Sequence, residues 1–89
     1  MRSFLPELSR FHGIIIRMFH RDHAPPHLHA EFGEYEITVE IQTGVTRGRF
    51  PAVALRQVQE WAALHRPELL DRWRLAREAK PLPRVAPLE

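Results

Sequence analysis

Two runs of alternating residues meet at Gly33-Glu34, and that junction constrains this chain of 89 residues more than any other feature. A two-residue loop with glycine first suits a type II′ hairpin turn. It predicts strands over residues 27–32 and 35–42. The turn also fixes a register. Phe32 faces Tyr35, Glu31 faces Glu36, Ala30 faces Ile37, His29 faces Thr38, Leu28 faces Val39 and His27 faces Glu40. Apolar residues meet apolar ones and polar residues meet polar ones, and a slip of one residue would scramble the sorting. One face then carries Leu28, Ala30, Phe32, Tyr35, Ile37, Val39 and Ile41. The other carries His27, His29, Glu31, Glu36, Thr38 and Glu40.

The flanking segments extend this unit. Residues 13–20 are β-branched and aromatic and read as a strand, with Ile14, Ile16, Met18 and His20 on one side and Ile15, Arg17, Phe19 and Arg21 on the other. Pro25-Pro26 stiffens the loop that follows. A turn at Thr43-Gly44 predicts a short fourth strand at 45–50. Arg47 then stands opposite Glu40, Arg49 opposite Thr38 and Phe50 opposite Ile37, and a longer turn would shift this pairing. Pro51 suits the start of a helix, with Leu55, Val58, Ala62 and His65 at helical spacing. Pro67 divides it from a second helix running to about residue 79, with Leu69, Leu70, Trp73 and Ala76 inward. Trp61 and Trp73 are expected as core anchors, and His65 as a cap on the first helix. Residues 1–12, interrupted by Pro6, read as an irregular lead-in in which Phe4, Leu5, Leu8 and Phe11 pack loosely. The proline-rich end, 80–89, reads as an extended tail, a strap or an addition to a sheet edge. The expectation is one α+β domain, a small antiparallel β-meander of about four strands with two C-terminal helices packed on one face.

Composition narrows the chemistry. The absence of cysteine excludes disulfides, thiolate zinc fingers, iron–sulfur centres and a cysteine nucleophile. No apolar stretch is long enough to span a membrane, and the first residues lack the layout of a signal peptide, so a cytoplasmic protein is expected. A chain of this size buries only about 60% of its unfolded surface and holds one core. Residues 28–46 contain four Glu and no Lys or Arg, whereas residues 47–89 hold nine basic residues against five acidic ones. An acidic middle repels phosphate, so nucleic-acid contact, if made, falls to Arg47, Arg49 and the basic C-terminal half.

Five of the six histidines lie within residues 12–29. On a strand, His27 and His29 point the same way, about 6–7 Å apart, a spacing that can grip one ion. Glu31 or Glu40 could add a carboxylate and His23 could lean in from the loop. The candidate ligands are therefore His23, His27, His29 and Glu31, and the candidate cofactor, if there is one, is a divalent metal, zinc or manganese. The competing reading is structural: His27–Glu40 is a ready cross-strand pair that Arg47 extends. Glu31 opposite Glu36 is a like-charge pair that needs Arg17, Arg21 or a cation to neutralise it. Asp22-His23 is also a candidate orienting carboxylate and base for metal-free chemistry.

Phe11-His12-Gly13-Ile14-Ile15-Ile16-Arg17-Met18-Phe19, Asp22-His23-Ala24-Pro25-Pro26-His27-Leu28-His29 and Trp61-Ala62-Ala63-Leu64-His65 together resemble the bacterial family called domain of unknown function 4160, over roughly residues 4–88. Tyr often stands in that family where this chain has His20, which sets His20 apart from His23, His27 and His29. The resemblance implies a small cytoplasmic protein encoded beside another, in the manner of toxin–antitoxin or regulatory modules. Two functions follow as expectations. The first is a non-catalytic module that meets a protein partner or a second copy of itself through a face made of Arg17, Arg21, Asp22, Glu36, Glu40, Arg47 and Arg49, with Ile15 and Phe19 as apolar anchors. The second is a small metal-dependent hydrolase or ribonuclease-type toxin centred on His23, His27 and His29.

Overall fold

A computed structural model describes residues 6–89. Phe4 and Leu5 lie outside the described residues. Five strands, β1 (Glu7–Phe11), β2 (Ile14–Arg17), β3 (His27–Phe32), β4 (Tyr35–Glu40) and β5 (Thr46–Arg49), precede two helices, α1 (Ala52–Leu64) and α2 (Arg66–Arg77). The strands form one antiparallel sheet in chain order, so the fold is α+β.

All six pairs of the β3–β4 hairpin stand in the register that the Gly33-Glu34 turn dictates. Gly33 has φ 59°, the positive value that the first position of a II′ turn demands. Leu28, Ala30, Ile37 and Val39 are consequently buried with Ile14 and Ile16 of β2. They join Ala54, Val58, Trp61, Leu69, Trp73 and Ala76 of the helices in one hydrophobic cluster.

Three expectations need correction. The lead-in contains a strand, β1, where none was expected. A bulge at Leu8 is the reason: Glu7 pairs with Arg17, yet Ser9 already pairs with Ile16, so Leu8 and Ser9 both turn inward and the alternation that would announce a strand is broken. The strand expected over 13–20 stops at Arg17, where pairing with His29 ends, although Met18 remains fully buried. The sheet therefore has five strands and not about four. Finally, the turn after β4 is the longer one. Gly44 donates to the Glu40 carbonyl and Glu40 to that of Val45, both at 2.8 Å. Arg47 thus faces Thr38 and Arg49 faces Glu36, two residues from the tight-turn register. A shift of two keeps each side chain on its face.

The tail lies along the sheet's first strand. Val85 is buried and its N–H donates to the Leu8 carbonyl at 2.8 Å. Trp61 Nε1–H donates to the Ala86 carbonyl at 2.7 Å, and Arg72 Nε–H to that of Pro83 at 2.7 Å. Both tryptophans are core residues, as expected. His65 links the helices, its N–H donating to the Trp61 carbonyl while its ring pairs with Glu68 in the first turn of α2.

Candidate metal centre

The segment from Met18 to Pro26 leaves the sheet and returns to it, tied down along its length. Met18 N–H donates to the Pro6 carbonyl at 3.3 Å, Arg21 N–H to that of Ala76 at 3.0 Å, and Ile41 N–H to that of Pro26 at 3.0 Å. His20 Nε2 meets the Lys80 carbonyl at 2.9 Å. Arg21 sits at φ 57°, a left-handed conformation costing a non-glycine residue about 1–2 kcal/mol. These bonds hold Asp22 over the start of β3.

Asp22 is where the two imidazoles converge. Its Oδ2 lies 2.9 Å from His27 Nε2 and 3.2 Å from His29 Nε2. Its Oδ1 accepts the His23 N–H at 2.8 Å. The side chains are largely shielded, 16% exposed for Asp22, 8% for His27 and 13% for His29. Burial pushes the Asp22 carboxyl up, but hydrogen bonds from His29 and the His23 N–H, with the charge and hydrogen bond of His27, outweigh it and hold the group below its ordinary value. His27 is less exposed than an outer-face residue would be, because Trp73 of α2 packs against its ring at 5.2 Å and His23 stacks on it at 5.1 Å. Phe19 stacks on His29 at 4.1 Å. This ring, expected as an anchor for a partner, instead builds the wall of the site.

Proton accounting singles out the contact between His27 and Asp22. Nδ1 of His27 lies 2.8 Å from the Pro25 carbonyl, which can only accept, so Nδ1 carries a proton. In the neutral ring Nε2 is then a lone pair, facing a carboxylate oxygen that is also an acceptor. Two acceptors at 2.9 Å need a positive charge between them, either a second ring proton or a cation. An N–H donated to a backbone carbonyl is also the outer-shell arrangement typical of metal-binding histidine. His29 Nδ1 is buried without a hydrogen-bond partner among the described residues, 3.8 Å from Glu36 Oε2.

The three donor atoms lie within 4.8 Å of one another. Tetrahedral zinc with bonds of about 2.0–2.1 Å separates neighbouring ligand atoms by roughly 3.3 Å. The observed 2.9 and 3.2 Å are close to that spacing. Two nitrogens and one oxygen suit zinc or manganese, and three protein ligands leave a position for water or substrate. Beside them opens a cavity of about 270 Å³, lined by Phe19, Pro25, Thr38, Glu40 and Arg47 with the Asp22–His23–His27–His29 group.

The other residues singled out in the sequence disperse. His23 is 80% exposed, with Nε2 3.9 Å from Asp22 Oδ1, at the rim of the cluster. Glu31 turns to Arg17, Oε2 to Nε 3.1 Å, and does not join the donor set. Arg21 points its backbone at α2 and is exposed, so it does not neutralise the Glu31–Glu36 pair. Glu40 lines the cavity and accepts a hydrogen bond from Thr43 Oγ1 at 3.0 Å. Arg49, opposite Glu36, lies outside the cavity. Sequence reading gave Asp22 a place on the face but not among the candidate ligands. The signal was present: it is the only acidic residue in the histidine-rich stretch 20–29.

Fold and site together define a small α+β protein with a two-histidine, one-aspartate cluster at the mouth of a cavity. A family model described as "Domain of unknown function (DUF4160)" matches residues 13–74, and the chain belongs to that family. No curated protein and no solved structure matches it. No helix among the described residues is long and apolar enough to cross a membrane.

Proposed function

We propose that this protein is a small metal-dependent hydrolase whose divalent ion, zinc or manganese, is held by Asp22, His27 and His29. The observation that carries the reading is the convergence of His27 Nε2 and His29 Nε2 on one Asp22 oxygen, at 2.9 and 3.2 Å, with His27 Nδ1 held by the Pro25 carbonyl at 2.8 Å. With the His27 ring neutral, an ion there replaces an acceptor–acceptor contact with two bonds. It would supply a Lewis acid that polarises a substrate oxygen and acidifies water. The remaining work falls to the chain. Phe19, Pro25 and Trp73 keep bulk water from the rings. Glu40, oriented by Thr43, stands on the cavity wall outside the donor set and serves as the base. As a water oxygen attacks the ester centre its proton passes to Glu40. The ester bond breaks, and the leaving oxygen takes that proton back.

Metal analysis of tag-free protein tests the centre. One equivalent of metal, lost in His27→Ala and His29→Ala, is the expected result. Zinc at 100 times its dissociation constant should stabilise the wild type by about 2.7 kcal/mol, raising Tm by roughly 10 °C or more. Metal-free protein whose Tm ignores zinc and manganese would refute the reading. Glu40→Gln should retain metal and lose the hydrolysis of 4-nitrophenyl esters.

A further inference from the structure

We infer that the cavity beside the metal centre receives a phosphate group, with Arg47 as its second anchor; this rests on the metal reading above. The backbone places the parts. His29 pairs with Thr38 across β3 and β4, and Thr38 pairs with Arg47 across β4 and β5, so the three stand in one row on one face. Strands are about 4.8 Å apart, which sets the Arg47 Cα roughly 10 Å from that of His29. An arginine side chain spans most of that distance, and Arg47 lines the same cavity as His29. Among the described residues no ion pair or side-chain hydrogen bond engages its guanidinium; Arg21, Arg49, Arg56 and Arg77 share that, but Arg47 is the one of them that lines the cavity. Glu40, the acidic neighbour in the cavity, is already engaged by the Thr43 hydroxyl.

The geometry selects the ligand. An ion at the Asp22–His27–His29 end and a guanidinium at the other end call for a group with oxygens pointing both ways. A tetrahedral phosphate has them, and arginine grips two of them at once. A carboxylate has only two oxygens to share among the ion, the guanidinium and the Thr38 hydroxyl, whereas a phosphate has one for each. Thr38, between the two, offers a hydroxyl to the middle of the group. At about 270 Å³ the space falls below the usual range for drug-sized ligands. The substrate class is therefore a phosphate ester presenting its phosphate and one small group, with any larger part outside.

Phenylphosphonate, which keeps the tetrahedral oxygens and resists hydrolysis, is the probe, titrated calorimetrically into zinc-loaded protein. Wild type should bind it, and Arg47→Met should weaken binding by at least tenfold with zinc affinity unchanged. Arg49→Met, one row away and outside the cavity, should stay within about twofold of wild type. Zinc-loaded wild type that ignores phenylphosphonate, or an Arg47→Met variant that binds it equally well, overturns the proposal and leaves the metal centre standing. Protein that takes up no zinc overturns both.

Discussion

Arg17 of β2 reaches diagonally across to Glu31 of β3, with Nε 3.1 Å from Oε2. That pair claims the carboxylate that sequence spacing would assign to a metal and leaves Asp22 as the acid that the imidazoles share. Glu31→Gln should therefore hold zinc within about twofold of wild type. Asp22→Asn removes a ligand and should lower affinity by more than the roughly 10–100-fold typical of losing an outer-shell partner. Competition with a chromophoric chelator measures both. Equal losses in the two variants would return Glu31 to the donor set.

The bond from His27 Nδ1–H to Pro25 makes a spectroscopic prediction. In zinc-loaded protein the His27 ring should be protonated at Nδ1 alone, and that proton should exchange slowly because the ring lies under Trp73 and His23. Long-range nitrogen–proton NMR correlation reads the tautomer directly. A ring protonated at Nε2 would place the metal elsewhere.

Gly48 bears on the wall that carries Arg47. It sits at φ 107°, and a Cβ there would fall 2.6 Å from the Glu36 carbonyl oxygen. Gly48→Ala must therefore strain its backbone and push β5 off β4, at a cost of roughly 2 kcal/mol. Urea unfolding should report that loss, and phenylphosphonate binding should weaken with it. An unchanged midpoint would contradict the close approach of these strands.

Acid should loosen the join between β1 and the tail. Hydrogen bonding from Arg10 draws the Glu7 carboxyl down, burial opposes it, and Arg84 adds to the lowering, for a value of about 2 against an ordinary 4.5. A depressed carboxyl contributes stability that is complete above pH 4.5 and is lost as the pH falls toward 2. Glu7→Gln should thus be less stable than wild type at pH 7, by about 1 kcal/mol at most given solvent screening. The gap should close between pH 4.5 and 2. A gap that persists at pH 2 would assign the effect to packing.

The hairpin was legible because its turn and its alternation are local, and each confirms the other. The helices were legible through their period and their prolines. β1 was not, because a bulge at Leu8 erases alternation in a strand of five residues. The β5 register was not, because the alternative turns differ by two residues and sort side chains equally well. At the site, His27 and His29 followed from strand geometry alone. Asp22 did not, because its place over them depends on Arg21 meeting Ala76 and Ile41 meeting Pro26, contacts between segments far apart in the chain. Glu31, a candidate ligand by spacing, stands apart from the Asp22–His27–His29 group for a related reason: the partner that draws it away, Arg17, comes from another strand.

The Val85–Leu8 bond has a bearing on how copies of the chain can associate. Filaments grown by strand addition need two open flanks, one to offer backbone groups and one to receive them. The tail already occupies one flank, and arginines on either side of a glycine guard the other. Among the described residues, then, the tail obstructs one flank and charge guards the other, an arrangement that works against a lengthening queue of molecules.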